Sequence, residues 1–181
     1  ALTYHPDPKR KLKYGLEMTH NGDSWIGVNT NRANALAQEA IENAVIEELQ
    51  GYDTLKREVT VGDSRLDIRL TNDQETCYVE VKNVTLKVGD EACFPDGVSA
   101  RGLKHLQELI DLKEEGHRAV MLFIIQREDV ESFRPAYEFD PAYSEGLMMA
   151  LESGVEVLAY QCEVNPRGIA VKKRIPLSLD Q

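Results

Sequence analysis

The sequence predicts an α/β fold, a mixed β-sheet with helices on both faces. From residue 31 onward the periodicities run α-β-β-β-α-β and then α-β-β, the order expected of such layers. The stretch "RAVMLFIIQ" is almost wholly apolar, as a central strand buried on both faces requires. The two strands "SRLDIRLT" and "CYVEVKNVTL" alternate apolar and polar residues, so each has one polar face.

Residues 1–11 hold Pro6 and Pro8 among charges and read as a loop or frayed end. "KLKYGLEMTHNGDSWIGVNT" reads as two short strands around the turn "HNGD". Two strands alone are marginally stable, so this hairpin must lean on something larger. Asn31 to Gln50 predicts the first helix, with Ala37, Ala40, Ile41, Ala44, Val45 and Leu49 at helical spacing and Gly51 at its C′ end. Strand candidates "TLKREVTV", "SRLDIRLT" and "CYVEVKNVTL" follow, joined as hairpins through Gly62-Asp63 and "NDQE". "SARGLKHLQELIDLKEEG" predicts a second helix, with Ser99 as its cap and Gly116 beyond its end. After the apolar strand, residues 140–154 predict a third helix. "VEVLAYQCEV" and "IAVKKRIPL" close the chain as strands around "NPRG".

Composition bounds the function. The chain has 181 residues, 42% of them hydrophobic, which suits a folded domain with a core. No apolar run approaches the ~20 residues of a membrane span, and "ALTYHPDPKRK" lacks the apolar region of a signal peptide. Cys77, Cys93 and Cys162 have no zinc-like spacing, so the default location is reducing and cytoplasmic. A net charge of −10 argues against a broad basic face that coats nucleic acid. Local basic clusters remain: Lys9, Arg10, Lys11 and Lys13; Arg101, Lys104 and His105; Lys172, Lys173 and Arg174.

The chemistry concentrates on two strands. In "SRLDIRLT", Leu66, Ile68 and Leu70 share one face, and Asp67 shares the other with Arg65 and Arg69. In "CYVEVKNV", Tyr78, Glu80 and Lys82 lie opposite Val79 and Val81. Paired as a hairpin, these strands bring Asp67, Glu80 and Lys82 to one polar surface. Two adjacent carboxylates repel unless a cation sits between them. Hard oxygen donors with open water positions suit Mg²⁺ or Mn²⁺, which can stabilise charge on a phosphodiester. Lys82 would then orient or deprotonate the attacking water, or meet the developing charge. The competing reading is an ion pair decorating an exposed sheet face. On the second helix, Arg101, Lys104, His105 and Glu108 recur at i, i+3, i+4 and i+7, opposite Leu103, Leu106 and Ile110.

The α-β-β-β-α-β order, with Asp on the second strand and Glu-x-Lys on the third, resembles the PD-(D/E)XK nuclease fold. "SRLDIRL", "CYVEVKNVTL", "FPDGVSARGLKHLQEL" and "GVEVLAY" together resemble the sugar fermentation stimulation protein family. The resemblance runs from about "WIGVNTNRANALAQEAI" to "KKRIPL". It implies a restriction-endonuclease-like mixed sheet flanked by helices over residues 31–181, preceded by part of an OB-like β domain over residues 1–30. The family places a longer β domain before the helix, and only its last hairpin is present here. The resemblance also implies a DNA-binding protein linked to regulation of sugar use, with metal-dependent nuclease activity following from the fold.

Carried over by position, Asp67, Glu80 and Lys82 fall on the nuclease motif, with Leu66 where the motif's name has proline. Glu39 on the first helix falls where related nucleases carry an extra acidic metal ligand; a solvated glutamate is the plainer reading. Arg101 and Lys104 could hold a phosphate of DNA or another nucleic acid, and His105 could touch that phosphate or a metal-bound water. Asp96 caps the next helix, shapes a turn, or reaches the metal. Trp25 and Tyr14 could stack on bases, with packing the plainer role for Trp25. Two further readings of the chain remain open: a non-catalytic DNA-binding regulator on the nuclease scaffold, and a protein-interaction module.

Overall fold

The computed structural model describes residues 1–62 and 64–179; Asp63, expected in the turn with Gly62, lies outside the described residues. The chain opens with four short strands: β1 (Leu2–Tyr4), β2 (Tyr14–Leu16), β3 (Met18–His20) and β4 (Trp25–Gly27). Helix α1 (Ala33–Glu42) follows, then strands β5 (Thr54–Val61), β6 (Ser64–Thr71) and β7 (Thr76–Val84). Short strands β8 (Leu86–Val88) and β9 (Glu91–Phe94) lead into α2 (Ala100–Glu114) and β10 (Arg118–Ile125). The last elements are β11 (Ser132–Pro135), α3 (Pro141–Glu152), β12 (Glu156–Asn165) and β13 (Gly168–Arg174).

The central sheet has six strands in the order β13-β12-β10-β7-β6-β5. It is mixed: β7, β10 and β12 run parallel, and β5-β6-β7 and β12-β13 pair antiparallel. The expected layers are present. From Ala119 to Ile125 every residue of β10 is buried, because α1 covers one face of the sheet and α2 the other. Ile68, Leu70, Val79 and Val81 pack with Leu36, Ala37 and Ile41 of α1 on one face. Met121, Phe123, Leu106, Leu109 and Tyr143 pack on the other.

Four local features differ from the sequence reading. The first helix ends at Glu42, not at Gln50. Ala44 takes φ 56°, with its N–H donating to Ile41 and that of Val45 to Ala40, a Schellman stop built on alanine where glycine is usual. Stopping there turns Ile46 and Leu49 into the core, both essentially fully buried. A three-stranded sheet, β11-β9-β8, lies outside the expected order. Its strands have three or four residues each, too short for periodicity to reveal. Residues 1–11 are not all loop, since β1 pairs with β2. As part of the same N-terminal difference, the stretch before "HNGD" breaks into β2 and β3 at Glu17, whose carboxylate takes Arg32 at 2.9 Å and Asn29 at 3.0 Å.

The fourth difference shapes the site. The β6–β7 ladder stops at Ile68↔Val79, although both strands continue. Opposite Asp67, in the register between Arg57↔Ile68 and Val59↔Leu66, Glu58 of β5 adopts φ 53°. The faces change sides at this point. Leu55, Ile68 and Leu70 belong to the α1-side core, whereas Leu66 and Val61 belong to the α2-side core. Strict alternation put Leu66 with Ile68 and Leu70; the distortion at Glu58 and Asp67 turns the outer half of the hairpin toward α2.

Candidate active site

The site forms where β6 parts from β7. Asp67 fills the gap: its Oδ2 accepts the N–H of Val81 at 2.8 Å, and its Oδ1 accepts Asn34 Nδ2 from α1 at 2.6 Å. A side chain thus serves a strand donor that the β6 backbone has left. Burial raises the Asp67 carboxyl above its usual range, the Glu80 charge adds to the rise, and the Val81 and Asn34 hydrogen bonds partly oppose it.

Glu80 and Lys82 point to the α2 side of β7, as alternation from Val79 and Val81 requires. Glu80 is 2% exposed, so a bare surface ion pair does not describe it. Its Oε1 takes Lys82 Nζ at 2.7 Å and also contacts His105 Nδ1. Lys82 Nζ stands 3.2 Å from the same ring nitrogen. Burial pushes the Glu80 carboxyl up, but His105 and Lys82 outweigh it and hold the group below its usual value. The other oxygen, Oε2, is buried with no hydrogen-bond partner. A carboxylate oxygen in that state is costly unless something positive reaches it.

His105 lies at the edge of the basic face of α2 and is buried, unlike Arg101 and Lys104, which are exposed. Arg101 Nε donates to its Nε2 at 3.4 Å. Arginine can only donate, so this arrangement puts the ring hydrogen on Nδ1, facing Glu80. Arg101, Lys104 and His105 line a cleft of about 460 Å³ together with Thr60, Ser64 and Arg65. Serine and threonine hydroxyls and three cations in one cleft suit an anion.

The structure brings Asp67, Glu80, Lys82 and His105 together and leaves Glu39 apart. Glu39 is exposed and lines a different cavity with Glu17, Arg32 and Arg167. The first-helix residue that reaches Asp67 is Asn34, whose place on the helix differs from that of Glu39, five positions on. Asp96 is exposed and lines a small cleft with Asn83 and Thr85, and the N-cap position of α2 is Ser99. Trp25 packs on the α1-side core, and Tyr14 is exposed. Sequence reading missed Asn34 and the hairpin wall of Thr60 and Ser64; a lone amide or hydroxyl carries no pattern to mark it. Among the described residues, no three His, Cys, Asp or Glu side chains converge as a ready metal cage.

The oxygen chemistry still fits a divalent cation. Asp67 and the orphaned Glu80 Oε2 are hard donors, and Mg²⁺-type ions use one or two carboxylates and fill the remaining positions with water and phosphate.

Comparison with known proteins gives a consistent result. The family model described as "Sugar fermentation stimulation protein RE domain" matches residues 31–168. A sugar fermentation stimulation protein homolog of Geotalea uraniireducens is 47% identical over 179 residues, covering 98% of this chain and 78% of its own length. The homolog of Maricaulis maris is 48% identical over 183 residues, covering 99% of this chain and 78% of its own. Among solved structures, SfsA of Pyrococcus furiosus in complex with Ca²⁺ superposes with a TM-score of 0.90 at 31% identity, over 98% of this chain and 76% of that one. The chain therefore belongs to the sugar fermentation stimulation protein family.

Proposed function

We propose that this chain is a divalent-metal-dependent phosphodiesterase acting on DNA or another nucleic acid. The observation that carries the reading is the meeting of Asp67, Glu80 and Lys82 where β6 parts from β7, with Glu80 Oε2 buried and unpartnered. The Ca²⁺ complex of the Pyrococcus furiosus relative supports the metal part of the reading. Asp67 and Glu80 hold the cation, Mg²⁺ or Mn²⁺ by the chemistry of their oxygens. When bound, the cation supplies Lewis-acid charge to the phosphodiester oxygens.

The chain's own groups do the rest. Asn34 and the Val81 N–H keep Asp67 in place. His105 holds the Glu80 carboxylate from the α2 side. Lys82, held beside the site by Glu80 Oε1, would orient the attacking water or meet charge on the phosphate. Arg101 and Lys104 hold the strand by its phosphates. Residues 1–30 would form part of an OB-like unit, tied to the start of α1 through Glu17 and Arg32. The three cysteines are buried free thiols, which suits a reducing compartment such as the cytoplasm. No helix among the described residues is long and apolar enough to cross a membrane.

The deciding experiment is a cleavage assay on single- and double-stranded DNA and RNA with Mg²⁺ and Mn²⁺. The wild type is expected to cut with metal and Lys82→Ala to fail with its fold intact. Equal cleavage by Lys82→Ala and Asp67→Ala would remove the site from the reaction. One observation favours a non-catalytic DNA-binding regulator: Lys82 is engaged by Glu80 rather than free. Tight, sequence-selective binding that needs no metal, without cleavage, would decide for it.

A further inference from the structure

The β5–β6 hairpin has a feature that the metal site does not use. Its inner half packs with α1, through Leu55, Ile68 and Leu70, and its outer half packs with α2, through Val61 and Leu66. The crossover lies at Glu58, with φ 53°, opposite Asp67. Backbone of this kind in a β-strand is strained for a residue with a side chain, and such strain gathers at functional positions. Its result is spatial: Thr60, Ser64 and Arg65 come to face Arg101, Lys104 and His105 across one cleft of about 460 Å³.

The cations of this cleft are loosely held. Arg65 meets Glu58 at 3.5 Å with both side chains more than half exposed, and Lys104 meets Glu108 at 3.7 Å. The exposed Arg65–Glu58 pair contributes little, and Lys104 is itself more than half exposed although its partner Glu108 is largely buried. Arg101 has the long contact to His105 Nε2. Three cations thus converge in a chain of net charge −10, one residue's reach from Glu80 through His105.

We infer that the outer half of the hairpin is the second jaw of a phosphate clamp, in which Arg65 closes on a backbone phosphate held from the other side by Arg101 and Lys104. The inference rests on the nuclease reading for the identity of its ligand, a phosphodiester strand. Arg65 binds and positions that strand, Thr60 and Ser64 add hydroxyl donors, and the phosphate they hold neighbours the one at the metal site.

The test is binding without cleavage. Fluorescein-labelled single-stranded DNA, duplex DNA and RNA are titrated with the full chain in EDTA, and anisotropy is followed over a range of salt. Each phosphate contact contributes about 0.7 to 0.9 to the slope of log K against log salt. Arg65→Ala is expected to lower that slope by about one contact and to weaken binding roughly tenfold, with Arg65→Lys restoring most of both. Arg167→Ala makes the same charge change on the other cavity and is expected to leave the slope alone. The probe with the largest Arg65-dependent slope identifies the strand type. Equal slopes for Arg65→Ala and Arg167→Ala would overturn the clamp, even if Mg²⁺-dependent cleavage is intact. An Arg65-dependent slope in a wild type that cuts nothing would uphold the clamp and remove the nuclease reading. No binding of any probe at low salt would overturn both.

Discussion

Asp67 Oδ2 accepts the backbone N–H of Val81 at 2.8 Å, so a carboxylate closes the ladder that the β6 backbone has left. This one contact links the fold to the chemistry. It keeps a strand donor satisfied at the split, and it holds an acid beside Glu80 that burial alone would expel.

If these groups act together, the loss on removing one is large. Lys82→Ala and Asp67→Asn are each expected to lower kcat about 10²- to 10⁴-fold, the range for a positioned acid–base or electrostatic group. Circular dichroism should show the native spectrum in both, since neither change opens a cavity in the apolar core. A loss below tenfold in both variants would assign the chemistry elsewhere.

Metal binding should be visible without turnover. A bound Mn²⁺ or Ca²⁺ should stabilise the folded chain by about 2.7 kcal/mol at a hundredfold excess over Kd. A thermal-shift titration should therefore raise Tm for the wild type and leave Asp67→Asn flat. The raised carboxyl of Asp67 adds a second sign. The folded state favours its protonated form, so its contribution is full at acid pH and is lost as pH rises through the folded value. Metal-free Asp67→Asn is thus expected to match or exceed the wild-type Tm at neutral pH.

Helix α2 is seated against α3 with no room at Gly102. A Cβ there would lie 2.5 Å from Ser99 Oγ and 3.0 Å from the Tyr143 ring. Tyr143 is fully buried and cannot retreat. Gly102→Ala should cost about 1–3 kcal/mol by overpacking, read by urea denaturation. The same shift moves His105, one turn along, so cleavage should fall more than stability alone explains. An unchanged midpoint would show that the contact yields freely.

The Glu17–Arg32 pair joins the N-terminal strands to the start of α1, and its pH dependence is opposite to that of Asp67. The Arg32 hydrogen bond brings the Glu17 carboxyl from 4.5 down to about 2. Its stabilisation is complete above the unfolded value and is lost as pH falls from about 4.5 toward 2. Glu17→Gln should cost about 1–2 kcal/mol at neutral pH, the half-exposed Arg32 regaining water, and progressively less as pH falls through about 2. Thermal melts of the two proteins across that range should converge at the acid end.

Much of this protein is legible in one dimension. The apolar run of β10 demands burial on both faces, and the hydrophobic spacing of "LKHLQELIDL" demands a helix with one apolar side. Alternation in "CYVEVKNV" places Glu80 and Lys82 on one face whatever surrounds the strand, because the side-chain period of a strand is two. The acid, the lysine and the order of the three helices and the six central-sheet strands were there to be read.

Alternation fails where the backbone departs from regular geometry, and sequence carries weak marks of such departures. Nothing in Glu58 announces a positive φ, and nothing in Ala44 announces the end of a helix. Both conformations are unfavourable locally and persist because distant packing outweighs them. Glu39 was expected near the metal by its position in the chain, and Asn34 reaches Asp67 by its position on the helix. The sequence by itself determined the layers, the buried strands and the faces of the site's two central charges. Only the tertiary structure decided that Asp67 fills a split in the sheet, that Glu80 is buried beneath His105, and that the hairpin crosses to the α2 side. Those outcomes depend on contacts between residues far apart in the chain, which no local period encodes.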